Sequence, residues 1–177
     1  AALARLEATL EETTLVSALT TWLERTPIMG SFFGSETDAE TVAAYVEAHL
    51  AAFTGIGDAA TAKMEAQGVE NVEAIKHRYA ASNAGAIEFL KPDGVVNRAR
   101  AGLLFIESYR ELPLLAWPRV LVDAVVELEE SMVLFRTHHA RMVERMIGRR
   151  VGTGGSSGVD YLDATTKYRV FGDLWGV

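Results

Sequence analysis

Apolar residues recur at helical spacing along nearly the whole chain, and no stretch alternates convincingly with a period of two. That single feature excludes most sheet architectures and predicts an all-α chain. Proline and glycine punctuate the pattern. Residues 2 to 24 predict a helix whose broad apolar face holds Leu3, Leu6, Leu10, Leu15, Leu19 and Leu23. Pro27, Gly30 and Gly34 break it, and Ser35 or Thr37 is placed to cap the next helix. That second helix is expected from about Ala39 to Gln67, kinked around Gly55 and Gly57, and a third from about Asn71 to Leu90, stopped by Pro92 and Gly94. "NRARAGLLFIESYR" reads as a fourth, ended by Pro113. The longest covers about Pro118 to Arg149, with Pro118 suited to a first helical turn. A glycine-rich loop then leads to a short helix from about Ser157 to Thr166, where Ser157 and Asp160 have capping-box spacing. With no internal repeat, the expected architecture is one all-α domain, residues 1–177, a helical bundle.

Composition narrows the function classes. A formal charge of −7 gives no support to a nucleic-acid or anionic-membrane partner. The absence of cysteine removes disulfides, thiolate metal sites and a thiol nucleophile. No apolar run is long enough to cross a bilayer and no signal peptide is present, so a cytoplasmic protein is expected. The chain opens "AALARLEATL", without a methionine, as if its start had been cut away.

Four histidines are available: His49, His77, His138 and His139. The last two lie deep inside the longest helix, in "LFRTHHARMVERM". Residues three, four and seven apart share a helical face. His139 therefore looks along Met132, Phe135, Arg136, Met142, Val143 and Met146, an apolar stripe, whereas His138 sits nearer the polar edge. An imidazole between flat apolar walls suits a haem iron. A buried histidine bonded to a backbone carbonyl is the competing reading. Zinc is disfavoured, because His138 and His139 point about 100° apart and cannot converge on one ion. Glu127, Glu129 and Glu130 in "ELEES" read as a solvated face or as salt-bridge partners of Arg119 or Arg136. No G-x-S-x-G elbow supports a serine hydrolase.

The loop "GTGGSSG" lacks the lysine and the preceding strand of a phosphate loop. It is either a linker-like turn or a flap, in which glycines permit close approach and Thr153 and Ser156 offer hydroxyls.

The stretch "FRTHHARMVERMIGRRVGTGGSSGVDYL" closely resembles the signature of the tryptophan 2,3-dioxygenase family: W-R-x-x-H, then M-V and I-G, then G-T-G-G-S-S-G and Y-L. "RARAGLLFIESYRELPLL" and "RVLVDAVVELEESMVLFR" resemble the two preceding helices, and "LVSALTTWLERTP" the start of the central region. The resemblance implies an all-α bundle around a haem pocket, with haem b as cofactor and His139 as the ligand of its iron. It implies that Thr153 contacts the amino-acid end of the substrate and that Gly154, Gly155 and Ser156 belong to the loop closing over it. The implied reaction is insertion of dioxygen across the indole C2–C3 bond of L-tryptophan, giving N-formylkynurenine. The implied assembly is a homotetramer.

Two departures stand out. Phe135 replaces the motif's tryptophan, and the family's N-terminal third, with its distal histidine and carboxylate-clamping arginine, has no counterpart here. Neither His49 nor His77 lies in a context that matches the distal motif. A truncated enzyme, a split enzyme and a relative without the distal machinery each account for this. The alternatives to dioxygenation are a related haem-dependent monooxygenase or hydroxylase acting on tyrosine or an indole, and a non-catalytic haem-binding helical module.

Overall fold

The computed structural model describes residues 13–148 and 158–176. Its described residues form six α-helices and no β-strand, so the all-α expectation holds. Two compact units are present, Ala1–Ser108 with Gly176–Val177, and Tyr109–Trp175.

In the first unit, α1 (Leu15–Glu24) starts later than periodicity alone suggests. Thr14 has an extended backbone and closes a reciprocal cap: Ser17 N–H donates to the Thr14 hydroxyl at 3.1 Å, and Thr14 N–H donates to Ser17 Oγ at 3.0 Å. A helix running unbroken from residue 2 is thereby excluded at Thr14; Leu3, Leu6 and Leu10 lie outside the described residues. Leu19 and Leu23 are buried as expected, whereas Leu15 is exposed.

A turn containing Met29, Gly30 and Gly34 leads into α2 (Asp38–Ala66). Thr37 is its N-cap residue but makes no side-chain cap. One continuous helix spans Gly55 and Gly57. Gly57 instead admits the Tyr79 ring of α3 (Val72–Leu90): a Cβ there would stand 3.1 Å from Tyr79 Cδ1. Gly68 and Asn71, both with positive φ, carry the short reversal between these helices. After the turn at Pro92–Gly94, α4 (Arg98–Ser108) packs against α1. Gly102 makes that approach possible, since a Cβ on it would lie 2.3 Å from the Leu23 carbonyl oxygen. Ile28, Val42, Val46, Leu50, Leu90, Ala101 and Leu104 form the core, with the Tyr45 and Phe105 rings meeting edge to face.

A buried ion pair holds the turn to α4. Arg98 donates to both Asp38 carboxylate oxygens, each at 3.2 Å, and to the Thr26 carbonyl at 2.7 Å, and Ser31 Oγ donates to Asp38 at 3.0 Å. Burial alone would raise the Asp38 carboxyl pKa. The hydrogen bonds from Arg98 and Ser31, the Arg98 charge and the Gly34 amide outweigh burial and hold it below the usual carboxylate value.

The second unit is built on α5 (Ala116–Ile147), 32 residues and so ~48 Å long. Pro118 lies in its first turn, where a missing N–H leaves no bond unmade. The short α6 (Val159–Thr165) packs on it, with Ala140 of α5 and Val159 of α6 both fully buried. Gly158, with φ of 60°, occupies the N-cap of α6. Ser157, the residue expected to supply a capping box, lies outside the described residues. Among the described residues no helix is long and apolar enough to cross a membrane.

Candidate functional site

The last three turns of α5 carry the densest chemistry of the second unit. His139 is half-buried and its ring stacks on that of Phe135, four residues earlier, with centroids 6.0 Å apart and planes 22° apart. It makes no hydrogen bond to any described residue, so the carbonyl-bonded histidine anticipated as the plainer alternative finds no partner there. Phe135, Met142 and Met146 continue its stripe and are exposed at 69%, 53% and 68%, far more than apolar side chains that pack within a core. Met132 and Val143 are half-buried. His138 is exposed and lies at the margin of this stripe, where it lines a cleft of about 490 Å³ with Arg141, Met142, Arg145 and Met146. The two adjacent histidines thus diverge, as helix geometry requires. Among the described residues no three histidine, aspartate or glutamate side chains converge as a metal site. Any metal at His139 would need its remaining ligands from a cofactor or from elsewhere.

α5 is also tied to the chain that returns along it. Arg141 pairs with Asp163 of α6, and also with Glu144 at 2.5 Å. Arg136 Nη1 donates to the Tyr168 carbonyl at 2.8 Å. Furthest along, both carboxylate oxygens of Glu129 accept backbone hydrogen bonds, from Val170 N–H at 3.0 Å and Phe171 N–H at 2.6 Å. Glu129 is wholly inaccessible to solvent. This corrects the reading of Glu129 as part of a solvated face or as an arginine partner. Arg119 pairs with Asp123 instead, and Arg136 is spent on a carbonyl. The available signal was positional. Glu129 stands four and seven residues after the buried Val125 and Val122, on the apolar stripe rather than the polar one. Beyond the tie, Arg169 lies over the Trp175 ring, 4.2 Å from its centroid.

Thr153, Gly154, Gly155 and Ser156 lie outside the described residues. Their flanks are placed: α5 ends at Ile147, and α6 begins at Val159 on the same helix. In the first unit, His49 borders a cavity of about 690 Å³ with Phe53, Phe89, Leu104 and Glu107, and burial lowers its pKa. His77 is exposed on α3.

A sequence model of the family described as tryptophan 2,3-dioxygenase matches residues 1–177. This chain belongs to the tryptophan 2,3-dioxygenase family. A tryptophan 2,3-dioxygenase-like protein of Xanthomonas campestris pv. campestris is 47% identical over 168 residues, which cover 88% of this chain and 60% of that relative. A tryptophan 2,3-dioxygenase of Sorangium cellulosum is 45% identical over 169 residues, covering 88% of this chain and 40% of the relative. Tryptophan 2,3-dioxygenase 2 of Ralstonia nicotianae is 56% identical over 117 residues, covering 60% and 32%. The chain thus spans 60% or less of the length of these relatives.

Proposed function

We propose that this chain supplies the iron-ligating part of a haem-dependent dioxygenase that opens the indole ring of L-tryptophan to N-formylkynurenine. The observation that carries the reading is His139: an imidazole with no hydrogen-bond partner among the described residues, stacked on Phe135 and bordered by exposed Met142 and Met146. A flat apolar cofactor would cover this stripe, and a neutral imidazole nitrogen is the ligand its iron takes. When bound, haem b supplies the dioxygen chemistry.

The chain's own residues then have separable tasks. His139 holds the iron, and Phe135 restricts the plane of its ring. Thr153 fixes the amino-acid end of the substrate by its hydroxyl, while Gly154, Gly155 and Ser156 let the backbone come close and exclude water. Glu129, Arg136 and Arg141 keep the returning chain on the helix that carries His139. On this reading the chain works as one haem-binding domain within a cytoplasmic homotetramer, taking an aromatic amino acid and dioxygen as its small-molecule partners.

The test is an absorbance titration with haemin, comparing the unsubstituted chain with His139→Ala. A sharp Soret band that the substitution weakens or shifts supports the ligand assignment, and formation of N-formylkynurenine from tryptophan by the loaded protein supports the reaction. Identical spectra for the two proteins would remove His139 from the iron. A hydroxylated product would replace the dioxygenase reading by a monooxygenase one.

A further inference from the structure

The apolar stripe has a basic margin. His138, Arg141 and Arg145 stand at spacings of three and four residues beside Met142 and Met146, and all five side chains line the same cleft of about 490 Å³. This margin runs against the balance of the whole chain, in which 24 acidic residues outnumber 17 lysines and arginines. Its members are not equivalent. Arg141 is committed to Glu144 and Asp163. Arg145, in the last turn of α5, makes no ion pair or hydrogen bond with any described residue, and His138 is exposed. A guanidinium with no partner among the described residues, beside two exposed methionines, is a site for a ligand that is both apolar and anionic.

We propose that His138 and Arg145, flanking Met142 and Met146, receive the carboxylate edge of the tetrapyrrole whose iron His139 holds. The proposal rests on the haem reading above and adds the orientation of the group. Arg145 lies six residues beyond His139, about 9 Å along the helix axis. That distance is comparable to the reach from a porphyrin's centre to its propionates. The macrocycle would lie over Met142 and Met146, its two carboxylates turned towards the C-terminal end of α5.

The test uses three porphyrins on the whole chain: haemin, iron-free protoporphyrin IX, and protoporphyrin IX dimethyl ester, whose edge is uncharged. Affinities come from Soret absorbance for haemin and from porphyrin fluorescence for the other two. Loss of one charge-assisted contact in Arg145→Gln weakens haemin and protoporphyrin IX by roughly tenfold and leaves the ester unchanged. The Soret position of bound haemin does not move, since His139 is untouched. Arg145→Lys retains most of the affinity. His139→Ala shows the converse pattern, weakening haemin but not the iron-free porphyrin. Equal losses for the acid and the ester in Arg145→Gln, or no loss at all, would overturn the orientation while leaving the iron assignment intact. Failure of every porphyrin to bind the unsubstituted chain would overturn both.

Discussion

Glu129 offers the sharpest energetic prediction. It is a wholly buried carboxylate whose two oxygens accept the N–H groups of Val170 and Phe171. Glu129→Ala removes both acceptors and orphans two backbone donors, that of Phe171 buried, the residue being 5% exposed, and that of Val170 part-buried. A hydrogen bond to a charged group contributes about 1.5–3 kcal/mol, and an orphaned buried donor costs about 1–3 kcal/mol. Two such bonds, partly relieved as the segment peels away to find water, give a net loss of about 3 kcal/mol. That corresponds to roughly a hundredfold rise in the local opening constant. Amide hydrogen exchange at residues 168–171 reads it directly, because the effect is confined to the returning segment. In Glu129→Ala those amides should exchange roughly a hundred times faster, while amides in the middle of α2 remain unchanged. Glu129→Gln keeps one acceptor oxygen but turns an NH₂ group towards the second N–H, so it should fall between the two. If Val170 and Phe171 exchange at the same rate in all three proteins, the carboxylate does not hold the segment and the reasoning fails.

Gly102→Ala should destabilise the first unit by an amount near the upper end of ~1–3 kcal/mol, because the new methyl meets the Leu23 carbonyl rather than a side chain that can rotate away. Gly85→Ala on α3, where nothing lies within 4 Å, should be neutral or stabilising; urea unfolding of the pair separates packing from helix propensity. Asp38 has a folded pKa below its ordinary value of 3.8, so its stabilising contribution is complete above that value and is lost as pH falls through the lower, folded pKa. Acid titration followed by Trp22 fluorescence should show this limb. Asp38→Asn should flatten it and also cost ~3–5 kcal/mol by leaving Arg98 buried without its partner.

Much of the helix order was legible in the sequence because proline and glycine act locally. Pro92 and Gly94 form the turn that follows the end of α3 at Leu90, and Pro118 sits where its missing N–H does no harm; α4, by contrast, ends at Ser108, five residues ahead of the Pro113 expected to stop it. Periodicity misleads where a local device competes with it. The leucine spacing runs through residue 14, yet the Thr14–Ser17 exchange of hydrogen bonds starts the helix afresh. Gly55 and Gly57 look like a kink from sequence, but helical hydrogen bonds on either side carry the backbone through, and Gly57 is used for close packing. The apolar surroundings of His139 were readable from spacing alone, whereas their exposure was not, since spacing says which residues share a face but not whether that face is covered. Glu129 was misread for a related reason: an acid in an acidic run reads as solvent-facing until a distant segment of chain is seen to supply the donors.

The three ties along α5 are nested. Arg141 reaches 22 residues ahead to Asp163, Arg136 reaches 32 to Tyr168, and Glu129 reaches 42 to Phe171. Each closure therefore encloses the one before it and lengthens the loop by only ten residues, and the entropic cost of a further closure grows only with the logarithm of loop length. Folding of this unit is expected to proceed like a zipper from the Arg141 end, with Glu129 as its last tooth. As the chain leaves the ribosome, that order keeps pace with synthesis: each partner becomes available only after the tie inside it can already have formed.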